Sequence, residues 1–234
     1  MELTKDLLEK DRSAAEFLLW VEGMVQTLGE TPEGTKAIRL RCGLAKVLLD
    51  EALPLGIFVN YHYAASSNVR IRLVLGNQNF DAVVCDQRLN PPSFSFVEIT
   101  QAHAGEEEHL RMSYFMEHGH VNMLGDVKKS GTKATGRHVE VAESAVEHSV
   151  VLEKQLCLIE EAVQRKIKKE YPVGTALVVV FEDSIAMRDQ EDRDALHKRL
   201  QPIIPSLNKF AWLAVVGWTK KIYLSREPTL GKGL

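Results

Sequence analysis

Cysteine, net positive charge and long apolar runs are all scarce in this chain, and each shortage closes off a class of protein. Its three cysteines, Cys42, Cys85 and Cys157, are odd in number, widely spaced and set in apolar stretches. They read as buried thiols of a reducing compartment and not as a disulfide framework. The formal net charge is −3, so any hold on nucleic acid must come from a local basic surface and not from the overall field. No apolar run approaches the length that spans a bilayer, and the start, Met1-Glu2-Leu3-Thr4-Lys5-Asp6, lacks the basic and apolar regions of an export signal. A cytoplasmic protein with no membrane partner is expected. Missing too are a serine nucleophile elbow, a phosphate-binding Gly-x-x-x-x-Gly-Lys loop and a dinucleotide fingerprint. What remains is ordinary for a folded chain of 234 residues, 45% hydrophobic and 26% charged, enough for one sizeable core.

The hydrophobic pattern predicts an α/β fold. Leu7, Leu8, Leu18, Leu19, Val21 and Val25 fall at helical spacings before Gly29, as one helix or two short ones. A further helix is expected over Ile38, Leu40, Leu44, Val47 and Leu48, ending before Pro54. The period then shortens to that of strands over 69–75, 80–85 and 94–99, three antiparallel strands in succession. A helix follows through Glu106-Glu107-Glu108 to Glu117, then a mobile basic loop over 125–138, then a long helix over about 144–170 carried by Leu152, Leu156, Ile159, Val163 and Ile167. The continuous apolar run 176–181 predicts a central strand buried on both faces. A helix over 189–200 and strands over 210–216 and 222–224 complete the chain. Residues 1–30 form an N-terminal helical segment and 31–234 a single α/β domain.

The second and third strands carry the chemistry. If the eight residues between Cys85 and Phe94 close the pair symmetrically, Asp81 lies directly across from Glu98. Side-chain alternation then puts Asp81, Val83, Cys85, Phe94, Phe96, Glu98 and Thr100 on one face. Two carboxylates facing each other beside apolar neighbours repel and lose hydration, so something must compensate. A hard divalent cation does so: Mg²⁺ takes one or two carboxylates, several waters and substrate phosphate, and such an ion activates water for attack on a phosphodiester. The bland alternative is a pair of strand-end carboxylates in water.

Helix, three antiparallel strands, helix, strand, with Asp81 on the second strand and Glu98-Ile99-Thr100 on the third, resembles the PD-(D/E)XK, or restriction-endonuclease-like, superfamily over about residues 33–181. The resemblance implies a restriction-endonuclease-like αβββαβ core with a mixed central sheet, here with the N-terminal helical segment and extra C-terminal strands. It implies metal-dependent phosphodiester hydrolysis of DNA or RNA, Asp81 and Glu98 binding Mg²⁺ or Mn²⁺ with the Ile99 main-chain carbonyl. The lysine expected two residues after the glutamate is replaced by Thr100, followed by Gln101. Within the family that position holds another polar residue in some members, and in others the lysine migrates to the following helix. Thr100 or Gln101 then places the water, or Gln164 or Lys168 reaches the site from the long helix; Lys166 or Lys169 does so if that helix is rotated. Glu51 reads as a surface glutamate, with a third-carboxylate role as the alternative.

Among the other groups, His118 and His120 bracket Gly119 in a turn and lack the further ligands of a zinc set. His103 and Glu106 to Glu108 fall near the mouth of the expected site. Lys128, Lys129, Lys133 and Arg137 have no acid among them and suit a phosphate backbone, DNA in preference to RNA. Trp212 and Trp218 read as core or interface residues. The rival expectation is a catalytically inactive chain of the same fold, a nucleic-acid-binding or assembly module that forms a homodimer through its N-terminal helices.

Overall fold

The computed structural model describes residues 2–132, 136–143 and 145–228. A short helix α1 (Lys5–Leu8) leads through the two-residue strand β1 (Arg12–Ser13) into α2 (Ala14–Gly29). Ser13 and Glu16 close a capping box at the start of α2, the reciprocal arrangement that satisfies otherwise unpaired helix N–H groups. The chain continues with α3 (Pro32–Leu40), α4 (Gly43–Val47), a π-helical turn (Leu48–Ala52) and α5 (Leu53–His62). Strands β2 (Val69–Leu73), β3 (Ala82–Asp86) and β4 (Ser93–Ala102) are followed by α6 (Gly105–His118), the hairpin β5 (Val127–Thr132) and β6 (Gly136–Val141), and α7 (His148–Ile167). Then come β7 (Thr175–Phe181), α8 (Gln190–Leu200), a 3₁₀ turn, β8 (Trp212–Gly217) and β9 (Ile222–Arg226).

Seven strands form one mixed sheet in the order β1-β2-β3-β4-β7-β8-β9. The first four are antiparallel in succession, β7 is parallel to both β4 and β8, and β9 turns back antiparallel. Every residue of the central β7 is buried, as its unbroken apolar run requires. Alternation splits the core in two. Ile71, Val84, Val97, Val178 and Val216 point toward Phe17, Val21 and Phe58 of α2 and α5. Leu177, Val179, Phe181 and Leu213 pack on the other face with Ile159, Val163 and Leu196 of α7 and α8. The result is a sheet with helices on both faces, an α/β architecture.

Three expectations need correction. The helix expected to end before Pro54 continues through it. Pro54 has no N–H and sits in the first turn of α5, and the preceding residues widen into a π turn, with the Leu53 N–H bonded to the Leu48 carbonyl. The Asp50 carbonyl that Pro54 leaves without a helical donor takes the Gln101 amide at 2.6 Å instead. The residues after Pro54 are buried almost without interruption, which erases the 3.6-residue period that would have announced the helix. The basic stretch expected as a mobile loop is the β5–β6 hairpin, paired Val127 to Val141 and Lys129 to Val139 and packed on α6. Finally, the cysteines are free but none is buried: Cys42 is exposed at the α3–α4 junction, and Cys85 and Cys157 are half-buried.

Candidate active site

The pairing of β3 with β4 runs Ala82 opposite Val97, and its next step sets Asp81 against Glu98. The Asp81 N–H donates to the Val97 carbonyl at 2.8 Å, and the Ile99 N–H donates to Asp81 Oδ2 at 2.7 Å. Asp81 is thus held by main-chain bonds on both sides. Glu98 is 6% exposed and forms an ion pair with Lys166 of α7, itself largely buried. A buried carboxylate needs such a partner, because desolvation without one costs several kcal/mol on an order-of-magnitude scale.

Asp81 has no comparable cation. Burial and then the charge of Glu98 raise its pKa from 3.8 to about 6, against the opposing Ile99 N–H, Lys166 and Lys169. Glu51, projected from the π turn, is raised from 4.5 to about 7 by burial, then by Asp81 and Asp50, with Glu98 adding to the effect and Lys46 opposing it. Acidic side chains from the β3–β4 pair and from the π turn thus share one electrostatic environment. The hydroxyl of Tyr171 belongs to it as well: its acidity is weakened by burial and by the charges of Glu98 and Asp81, and it has no well-placed hydrogen-bond partner among the described residues.

Asp81, Glu51 and Ile99 line a cleft of about 580 Å³ together with the cations Arg39, Arg41, Lys46 and Arg165. Arg41 forms an ion pair with Asp50 and lies 4.4 Å over the Trp218 ring, which fixes it at the wall. Glu98 and Lys166 are set back from this lining against α7. Four acids, Asp50, Glu51, Asp81 and Glu108, and four cations thus line one cleft.

The other expected residues fall unevenly. Thr100 is 5% exposed and sits under Arg165, whose Nη2 is 3.4 Å from its hydroxyl and 3.4 Å from the Gln101 carbonyl. Gln101 lines the cleft, but its amide is committed to the Asp50 carbonyl. Gln164 and Lys168 are exposed and lie about 160° around α7 from Lys166; the residue that reaches the carboxylates is Lys166. Lys128 and Lys129 stand on β5, and Lys129 pairs with Glu106 at 2.6 Å. Arg137 lies on β6; its side chain and the whole of Lys133 lie outside the described residues. Glu51, read from the sequence as a surface residue, is the main surprise, and its signal was Pro54: a proline three residues on forces an irregular turn there.

For a metal, the donors on hand are hard oxygens, two carboxylates backed by a third and a main-chain carbonyl. They suit Mg²⁺, which completes its shell with water, better than any ion that demands a full protein cage. Among the described residues no group of three or more His, Cys, Asp and Glu side chains is placed to hold an ion by itself. Comparison with known proteins returns no matching family model, no matching curated protein and no matching solved structure. No helix among the described residues is long and apolar enough to cross a membrane.

Proposed function

We propose that this chain is a Mg²⁺-dependent nuclease of the restriction-endonuclease-like type, hydrolysing phosphodiester bonds of nucleic acid, DNA in preference to RNA. The carrying observation is Asp81 set opposite Glu98 at the end of the β3–β4 pair, with Lys166 of α7 paired to Glu98, beside a cleft lined by Asp81, Glu51 and four cations. Asp81, Glu98 and the Ile99 carbonyl would hold the ion, which when bound supplies an acidified water and charge neutralisation on the phosphate. Lys166 takes the place of the lysine missing at Thr100: its ammonium, released from Glu98 when that carboxylate turns to the ion, orients the attacking water. Arg165, Arg41 and Lys46 bind the strand's phosphates and position the scissile bond. Glu51, protonated for part of the time near neutral pH, is placed to exchange a proton with solvent at the cleft floor.

One observation favours the non-catalytic alternative: Lys166 already neutralises Glu98, which weakens that carboxylate as a metal ligand. The experiment is incubation of the purified protein with single- and double-stranded DNA and RNA in Mg²⁺ or Mn²⁺, beside Asp81→Ala and Glu98→Ala. Cleavage by the parent and its loss in both variants is the expected outcome. Cleavage that survives both variants rejects the assignment, and binding without turnover assigns the chain to the module class.

A further inference from the structure

A buried donor beside the carboxylates is idle: the hydroxyl of Tyr171 has no well-placed hydrogen-bond partner among the described residues. Its setting keeps it there. Tyr171 lies in the connection from α7 to β7, and the residue after it is tied down, because Thr175 donates both its N–H, at 3.3 Å, and its hydroxyl, at 2.7 Å, to the Pro172 carbonyl. The same Thr175 stands opposite Phe96 where β7 pairs with β4, close to Glu98 on that strand. The Tyr171 ring packs against Phe210, centroids 4.8 Å apart. A side chain fixed at backbone and ring cannot swing away to another acceptor, and an unanswered buried O–H is costly.

Glu98 is the acceptor within its reach, a carboxylate that bears on the hydroxyl both by charge and by hydrogen bonding. Here Lys166 holds that carboxylate at Oε1. Glu98 is 6% exposed, so water cannot readily replace a partner that leaves. When Lys166 moves off to orient the attacking water and one Glu98 oxygen turns to the ion, the other oxygen needs a donor, as ligating carboxylates generally do. Tyr171 can supply it without any movement of the main chain, which keeps the buried carboxylate partnered in both states. A tyrosine that only packed on Phe210 would gain nothing from its hydroxyl. We infer that Tyr171 is a positioning residue, whose hydroxyl donates to the Glu98 oxygen facing away from the ion and holds that carboxylate in its ligating orientation; this inference rests on the nuclease reading.

The test is Tyr171→Phe in the full chain, which keeps a ring against Phe210 and removes only the hydroxyl. Mn²⁺ binding, titrated by calorimetry without nucleic acid, should weaken about 10–100-fold, the usual loss when the partner of a metal ligand is removed. In EDTA the variant should melt no lower than the parent, because the hydroxyl has no bond there to forfeit. With Mn²⁺ its melting temperature should rise by less than the parent's. Equal Mn²⁺ affinity in variant and parent overturns the inference and leaves the nuclease reading standing. Weaker affinity accompanied by a lower melting temperature in EDTA assigns Tyr171 to packing and overturns it too. A parent that takes up no Mn²⁺ overturns both readings together.

Discussion

Replacing Asp81 by Asn should make the metal-free protein more stable near pH 8, by an amount that folding electrostatics sets. The acidity of Asp81 is weakened, its pKa rising from 3.8 to about 6, by burial and by Glu98. A carboxyl displaced upward keeps its proton longer in the folded chain than in the unfolded one. Stability therefore declines as pH rises from about 4 to about 6 and stays at the lower level above that. A displacement of this size sets a ceiling of about 3 kcal/mol, and partial access to solvent reduces it to about 1–2 kcal/mol. Asn keeps the acceptor for the Ile99 N–H and removes the charge. Urea unfolding in EDTA should give the variant about 1–2 kcal/mol near pH 8 and no gain near pH 4, and thermal melts near pH 8 should rise by roughly 2–8 °C. Added Mg²⁺ should stabilise the parent and not the variant. A variant less stable than its parent near pH 8, or a gain that is the same at both pH values, would refute the reasoning.

The remaining predictions concern neighbouring parts of the same frame. Lys166→Met should lower cleavage by about 10²–10⁴, read in single-turnover assays, whereas Lys168→Ala and Gln164→Ala, on the far side of α7, should leave the rate unchanged. Gln101→Leu strips the Asp50 carbonyl of its donor and should cost about 1–3 kcal/mol in urea unfolding; a neutral result would mean that the proline-broken helix needs no such brace. Gly217→Ala would drive a methyl to 2.2 Å from the Asp183 carboxyl carbon, where that buried carboxylate accepts from Tyr223 at 2.8 Å and from the Thr219 N–H at 2.9 Å. It should lower stability by about 3 kcal/mol, measured by thermal unfolding, with little change if the β8–β9 turn yields.

Much of the fold was legible because the chain keeps the two periodicities apart. Strand β2 alternates cleanly, with Val69, Ile71 and Leu73 buried against the more exposed Arg70 and Arg72, and the β3–β4 register followed from the length of one connection. What escaped did so for physical reasons. Residues 54–59 of α5 are buried without a break, so no stripe marks the start of that helix. The β5–β6 hairpin offers little apolar alternation between its lysines and glycines. Within the site, sequence spacing named Asp81 and Glu98 but left the rotation of α7 open, and that rotation alone separates Lys166 from Lys168. Glu51 was obscured because its position depends on a π turn, whose extra residue per turn shifts every side chain that a regular helix would place elsewhere.

The most direct measurement is a crystal soaked in Mn²⁺ and examined for anomalous scattering at the end of the β3–β4 pair. The result expected is one ion within bonding distance of Asp81 and Glu98, with Lys166 displaced from the Glu98 oxygen that it now holds. An empty position at millimolar Mn²⁺, with the Lys166 to Glu98 ion pair intact, would contradict the metal-dependent reading.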